Sequence, residues 1–161
     1  MFICHVALQG CLTMRDVPYG LTADTGGHIK YLLELAEASA EDAAVDRIDL
    51  ITRGFDDPHL GPEYRSSSPE FSGKVRLVRL ADGDDTYLVK EDLHLRHAEL
   101  CDAFAAYLRE LERLPDLIHA HYADAGILAR RAKEEFGIPY IFTGHSLGAV
   151  KRKANGVSDE G

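Results

Sequence analysis

Cysteine and positive charge are both scarce in this chain of 161 residues. Its three cysteines, Cys4, Cys11 and Cys101, are odd in number and scattered, so they indicate neither a disulfide framework nor a CxxC site. Lysine and arginine number 18 against 27 aspartates and glutamates, which gives a formal net charge of −9. That balance argues against a protein that mainly binds nucleic acid or an anionic membrane surface. It still permits a small phosphorylated ligand, because such a ligand needs only a local group of cations.

Targeting and membrane signals are also missing. The N-terminal stretch MFICHVALQG has no basic region before its apolar run, and that run is too short to span a membrane as a helix. The chain contains no G-x-G-x-x-G dinucleotide fingerprint, no internal repeat and no low-complexity tract. With 45% hydrophobic and 28% charged residues, it is predicted to form one globular domain, with a reducing cytoplasm as the default location.

What the chain does have is an alternation of strand and helix signals. Apolar runs and helical periodicity predict the order β-α-β-β-α-β-α-β, which is typical of an α/β, Rossmann-like domain with a mainly parallel sheet flanked by helices. The strands are predicted at 2–8, 47–52, 74–80, 116–121 and 139–144, and the helices from Gly26-Gly27 onward, at 90–113 and at 123–136. The last stretch, KRKANGVSDEG, stops where another helix is expected, so we expect the domain to be incomplete at its C-terminal end.

A glycine pair stands at the mouth of the first predicted helix, in the stretch DTGGH (24–28). Paired glycines let a ligand approach the backbone closely, and the free amides of a first helical turn favour an anion such as phosphate. The alternative is an ordinary helix start with Asp24 or Thr25 as N-cap. Two adjacent glycines are poor helix formers, so we favour the binding interpretation.

The stretch HAHY ends the strand at 116–121 and raises the question of a metal site. Strand alternation puts His119 and His121 on the same face, with Asp124 as a third candidate ligand. No further carboxylate or cysteine has convincing ligand spacing. We therefore expect no metal site, and expect at least one of the two histidines to be a packed, hydrogen-bonded core residue.

The stretch GHSLG (144–148) fits the G-x-S-x-G nucleophile elbow of serine hydrolases. An α/β-hydrolase places its acid and its histidine after the nucleophile, but only Asp159 and Glu160, and no histidine, follow Ser146. A catalytic triad therefore cannot be completed within these residues. The competing interpretation is a sugar site in which His145 and Lys151 are the working side chains.

Five blocks taken together resemble the N-terminal domain of sucrose-phosphate synthases, which are retaining glycosyltransferases of the GT-B type. The blocks, in order, are DTGGHIKYLLELA, LITRGFDDPHLGPEY, YLVKEDL, PDLIHAHYADAG and IPYIFTGHSLGAVK. The resemblance implies two Rossmann-like domains that face each other across a cleft. The N-terminal domain would bind the acceptor, fructose 6-phosphate, and the C-terminal domain the nucleotide-sugar, typically UDP-glucose.

The resemblance also implies roles for particular residues. Gly26 and Gly27 match the glycine pair whose backbone lies against the donor diphosphate and the acceptor sugar. His28 stands where the family usually has glutamine in contact with the acceptor, which leaves the acceptor contacts at this position open. His121, in the HAHY block, is a further candidate contact.

The remaining transferred roles belong to charged residues and to the reaction centre. Lys90 matches a sugar-phosphate contact, and Lys151 matches the lysine that pairs with the acceptor phosphate. His145 matches the histidine close to the transferred sugar. Lys30, together with these two lysines, favours a phosphorylated acceptor over the free fructose of sucrose synthase. Retaining GT-B enzymes need no divalent metal, so no metal or cofactor is expected, and Ser146 would have no nucleophilic role.

Several alternatives stay open at this point. Mannosylfructose-phosphate synthase should have a similar acceptor side, and its distinguishing donor pocket lies outside these residues. We expect residues 1–161 to be an incomplete acceptor-binding domain that lacks the nucleotide-sugar-binding domain and has no turnover alone. Its partners would be a sugar phosphate, a nucleotide-sugar and that missing domain, with no nucleic acid and no membrane. A non-enzymatic sugar-phosphate-binding module and a hydrolase using Ser146 are the alternatives of another class.

Overall fold

The computed structural model describes residues 1–14, 16–66 and 70–144. Six strands form one sheet in the order β3-β4-β2-β1-β5-β6, in which every neighbouring pair is parallel except the antiparallel pair β3 and β4. The strands are β1 (Phe2–Val6), β2 (Arg47–Arg53), β3 (Glu70–Ser72), β4 (Val75–Leu80), β5 (Leu117–His121) and β6 (Tyr140–Thr143). The predicted α/β class with a mainly parallel sheet is confirmed.

Three α-helices cover the two faces of this sheet. They are α1 (Gly27–Glu41), α2 (His97–Glu110) and α3 (Tyr122–Phe136). On one face, α1 packs Ile29 and Leu32 against Leu50 of β2. On the other face, Phe104 of α2 and Leu128 of α3 pack in a core with strand residues that include Cys4 and Val6. Because strand side chains alternate between faces, His5 points to the α1 side of the sheet.

The chain departs from the prediction between 54 and 113. A short strand, β3, pairs with β4 across a turn in which Gly73 has a φ of 57°, and a 3-10 helix spans Pro62–Tyr64. The single helix predicted over 90–113 is wrong at its start, because Lys90–Arg96 forms a 3-10 helix and α2 begins only at His97. A tertiary hydrogen bond from the Lys90 amide to Asp24 holds this segment, and helical periodicity does not report such a contact.

Cys4, Cys11 and Cys101 are buried and free, so the prediction of no disulfide framework is confirmed. Among the described residues, no helix is both long enough and apolar enough to cross a membrane.

Strand order also locates the functional edge of the sheet. From β1 the chain continues through β2 and β4 on one side, whereas β5 and β6 lie on the other side. In open α/β sheets, ligands bind beyond the carboxyl ends of the strands, where the strand order reverses. That point lies here between β1 and β5.

Candidate substrate-binding site

A cavity of about 580 Å³ lies at the N-terminus of α1, beside the stretch DTGG. Its wall combines the glycine pair with small and polar residues and one lysine: Tyr19, Gly20, Thr22, Ala23, Thr25, Gly26, Gly27 and Lys30. Lys30 is exposed, and its ammonium lies 4.0 Å from Glu34. A cavity of this size is suited to a small molecule such as a sugar derivative.

Thr25 holds the turn before the glycine pair in place. Its Oγ1 accepts a hydrogen bond of 2.9 Å from the Cys11 amide and lies 2.7 Å from Oγ1 of Thr22. The Gly20 amide donates to the Thr25 carbonyl over 2.9 Å. Because the Thr25 hydroxyl bonds to Cys11 and Thr22 and no side chain caps α1, these bonds hold the loop rather than the helix end.

Asp24 joins this turn to a distant part of the chain. Its buried carboxylate accepts a hydrogen bond of 2.8 Å from the backbone amide of Lys90, 66 residues away. The Tyr87 hydroxyl lies 3.4 Å from the same oxygen and donates to Thr22 over 3.0 Å. Burial raises the pKa of Tyr87 to about 12, so its hydroxyl keeps its proton. Hydrogen bonds therefore hold the DTGG and YLVK segments against each other.

Arg53, at the end of β2, shapes the loop that leads to Lys90. Its buried guanidinium pairs with Asp82 at 2.7 Å and donates to the carbonyl oxygens of Asp84 and Thr86. A guanidinium with three partners in a fixed fork pre-organises this loop before any ligand binds. Sequence reasoning missed Arg53, because an arginine at a strand end has no distinctive spacing.

The glycine pair has no conformational or packing reason to be glycine within the described residues. Neither Gly26 nor Gly27 has a positive φ, and a Cβ added to either one would meet nothing within 4 Å. The N-cap of α1 is Gly26, without a side-chain capping bond, so the alternative of Asp24 or Thr25 as N-cap is wrong. The first turn of α1 carries no acidic side chain. An open helix N-terminus of this kind favours an anion.

His28 lies between the glycine turn and the Lys90 segment. Burial lowers its pKa, a hydrogen bond to the Gln9 backbone opposes that shift, and the nearby charge of Lys90 adds to it. His28 is therefore neutral at pH 7. Among the described residues its Nε2 is buried and has no hydrogen-bond partner, so one polar atom of this side chain is unsatisfied.

Tyr122 packs against His28 from the first residue of α3. The two rings meet edge to face with centroids 5.5 Å apart. Tyr122 has a φ of 71°, a left-handed conformation that is unusual for a bulky residue. Strain of this kind costs about 1–3 kcal/mol and gathers at functional sites. The sequence carries no signal for it.

The structure thus brings together several of the residues predicted from the sequence. Gly26, Gly27 and Lys30 line one cavity, and His28 and Lys90 lie beside it. The predicted reaction-centre histidine, His145, lies outside the described residues, as does the predicted phosphate lysine, Lys151. The hydrolase candidate Ser146 also lies outside them.

His121 has a different setting from these residues. It is only 2% exposed and stacks on His119 with ring centroids 4.2 Å apart, which confirms that the two histidines share a face. Its Nε2 lies 3.1 Å from Nδ1 of His5 on the neighbouring strand. Asp124, the third ligand considered for a metal pair, instead contacts His97 at 2.5 Å. The third side chain beside His119 and His121 is therefore His5, which the sequence analysis did not predict.

Comparisons with known proteins point to one family. The family described as "Glycosyl transferase 4-like domain" matches residues 26–159. Sucrose-phosphate synthase 4 of Arabidopsis thaliana is 31% identical over 172 residues, and the alignment covers 94% of this chain and 16% of that protein. The maize (Zea mays) sucrose-phosphate synthase is 31% identical over 176 residues, with the same coverage. The chain therefore spans about a sixth of these relatives.

A solved structure agrees with these relatives. Sucrose-phosphate synthase from Thermosynechococcus elongatus superposes with a TM-score of 0.71 at 27% identity. The superposition covers 94% of this chain and 35% of that chain.

Proposed function

The chain belongs to the glycosyl transferase 4-like family, and we propose that it is the acceptor-binding domain of a sucrose-phosphate-synthase-like glycosyltransferase. The observation that carries the proposal is the hydrogen bond from the Lys90 amide to Asp24, which holds the DTGG turn against the Lys90 segment. This contact lies beside the N-terminus of α1, which has no side-chain cap. That arrangement offers backbone amides and cations to a phosphorylated sugar at the edge of the sheet where strand order reverses. Family membership favours this function over a hydrolase that uses Ser146.

The proposed reaction moves a glucosyl group from UDP-glucose, or another nucleotide-glucose, to fructose 6-phosphate with retention. The C1–O bond to the diphosphate breaks, a C1–O bond to the acceptor oxygen forms, and the proton of the acceptor hydroxyl passes to an oxygen of the departing diphosphate. The amides at Gly26 and Gly27 would face the negative charge that grows on the departing diphosphate. His145 and Lys151 keep their predicted roles next to the transferred sugar and the acceptor phosphate.

The second half of the cleft would come from a nucleotide-sugar-binding domain. We propose that residues 1–161 are the first of two facing domains and that they have no turnover without the second. The small share of each relative that the chain covers supports this view. The three free cysteines support a cytoplasmic location.

The acceptor can be tested directly on the 161-residue chain. We expect fructose 6-phosphate to shift backbone amide NMR signals at Gly26, Gly27 and Lys90, and fructose to bind at least about tenfold more weakly, because it lacks the phosphate. Replacing Lys151 by alanine should cost about 1.5–3 kcal/mol of binding energy. The matched control is Lys133→Ala, an exposed lysine in α3, which should bind like the parent. Equal affinity of the Lys151→Ala variant and the parent would refute the phosphate role.

Transfer itself requires a protein that carries both domains. We expect such a protein to form an α-linked glucosyl product from UDP-glucose and fructose 6-phosphate, identified by the anomeric proton signal in NMR. GDP-mannose as the better donor would instead support the mannosylfructose-phosphate synthase alternative. Faster transfer to free fructose would support sucrose synthase.

A further inference from the structure

Three buried histidines converge near the carboxyl ends of the neighbouring strands β1 and β5. Among the described residues, His5, His119 and His121 are the one group of three metal-ligating side chains whose candidate ligand atoms all lie within 4.8 Å of one another. Their exposed fractions are 2%, 9% and 2%. The ring centroid of His5 lies 5.1 Å from that of His119 and 5.3 Å from that of His121. We call this group the histidine cluster.

Strand register creates the histidine cluster. In the parallel pair of β1 and β5, His5 is the direct partner of His119, and His121 follows two residues later on the same face. All three rings thus lie on the side of the sheet that α1 covers, where the Tyr31 ring approaches His121 at 6.5 Å. Because the backbone ladder holds both strands, the rings are positioned by rigid elements rather than by loops.

The chemistry of the histidine cluster suits a metal ion. Nε2 of His5 is buried without a hydrogen-bond partner among the described residues. A buried polar atom without a partner is costly, so it calls for an explanation such as a bound ion.

Thr143 supplies the supporting contact that ligand histidines usually have. Its Oγ1 lies 2.6 Å from Nε2 of His119 and can orient that ring. The cluster itself contains no carboxylate. Imidazole ligands suit zinc, copper, nickel and iron, whereas Mg²⁺ and Ca²⁺ require oxygen ligands.

We propose that His5, His119 and His121 bind one divalent transition-metal ion of the zinc class. Three protein nitrogens would leave the fourth position of a tetrahedral ion to water or to another ligand. The ion would join β1 to β5 directly below the edge of the sheet where substrates are proposed to bind. This site is independent of the proposed transferase function, which needs no metal. The competing arrangement is a metal-free core in which His5 and His121 share an N–H···N hydrogen bond of 3.1 Å.

Metal titration of the untagged 161-residue chain decides between the two arrangements. After treatment with a chelator and its removal, Co²⁺ is added, and its visible absorption and the bound metal per chain are measured. We expect one ion per chain, displaced by Zn²⁺, and a melting temperature that rises with Zn²⁺ concentration because the ion binds the folded state. In His5→Leu, metal affinity should fall by at least about tenfold.

The matched control is His94→Gln, an exposed histidine in the 3-10 helix, which should bind metal like the parent. Unfolding curves in excess chelator show whether each variant is folded. If His5→Leu does not fold, the imidazole ¹⁵N spectrum of the parent decides, since Zn²⁺ should shift the signals of all three rings. Absence of a bound ion in the parent, undiminished binding by folded His5→Leu, or unshifted cluster signals would each overturn the proposal.

Discussion

At the scale of single residues, Asp24 has the largest organising role in the site. Its carboxylate accepts the Lys90 amide and lies next to the Tyr87 hydroxyl, so one side chain ties two segments that are far apart in the chain. Buried hydrogen bonds to a charged group are stronger than neutral ones, and an unpaired partner is costly. The position of Lys90 in the site therefore depends on Asp24.

We predict that Asp24→Ala destabilises the chain by about 1–3 kcal/mol, because the Lys90 amide loses its hydrogen bond to the buried carboxylate. Asp24→Asn is the matched control, since its amide oxygen still accepts one hydrogen bond, and its loss should be smaller. Urea unfolding measures the stability, and hydrogen exchange measures protection of the Lys90 amide. Unchanged protection of that amide in Asp24→Ala would contradict the role of Asp24.

His28 leads to a prediction about pH. Its folded-state pKa is lowered from 6.5, mainly by burial, with Lys90 adding to the shift and Asp24 opposing it. The unfolded chain therefore takes up a proton near pH 6.5 before the folded chain does, so stability is lost as the pH falls from there through the folded pKa. We expect His28→Gln, measured with chelator present, to lose less stability than the parent between about pH 7.5 and pH 5. Parallel curves of stability against pH for the two proteins would show that His28 does not contribute to the pH dependence of stability.

At the scale of elements, a glycine lies at the C-terminal end of α3 and another at the N-terminal end of α1, for different physical reasons. Gly137 ends α3 with a φ of 72°, a left-handed conformation that glycine adopts without strain. Gly27 begins α1 with ordinary backbone geometry and open space around it. The fold therefore requires a glycine at position 137. At position 27 it does not, which leaves Gly27 open to a role in ligand binding.

We predict opposite effects for alanine at these two positions. Gly137→Ala should destabilise the chain by about 1 kcal/mol or more, because alanine is strained in that conformation. Gly27→Ala should stabilise it by about 0.4–1 kcal/mol, since alanine restricts the unfolded chain. If the proposed function holds, Gly27→Ala also weakens fructose 6-phosphate binding. Thermal unfolding and titration separate the two effects, and destabilisation by Gly27→Ala would reveal a fold requirement there.

At the scale of the whole molecule, the sheet is buried on both faces. On the α2 and α3 face, Phe104 is fully buried, whereas Phe71 on the edge strand β3 is 68% exposed. Packing on both faces makes the near-continuous apolar strands of a parallel sheet stable. The carboxyl edge of the sheet is therefore held in place by packing that does not depend on a bound ligand.

We predict that Phe104→Ala costs about 3–5 kcal/mol, because it removes buried apolar surface and leaves a cavity. Phe71→Ala is the matched control, and its effect should stay within about 0.5 kcal/mol. Denaturant unfolding measures both variants. Similar losses in the two would contradict the assignment of the core.

Local periodicity predicted the α/β class and most strand bounds, since apolar runs and helical spacing are local features. The strand predicted at 47–52 is Arg47–Arg53, and the helix predicted at 123–136 is Tyr122–Phe136. The glycine pair was also recognised, because two glycines at a helix start are unusual in any fold. The 3-10 start of the segment before α2 was not, because a tertiary bond to Asp24 holds it.

The sequence by itself determined the layered fold, the place of the glycine pair and the family, because these depend on residue order and spacing. Only the tertiary structure decided that Asp24 binds the Lys90 segment and that His5 joins His119 and His121. Both depend on which strands and loops become neighbours, and side chains converge only once β1 lies beside β5. Local spacing carries no record of that lateral order, since it arises from packing between residues far apart in the chain.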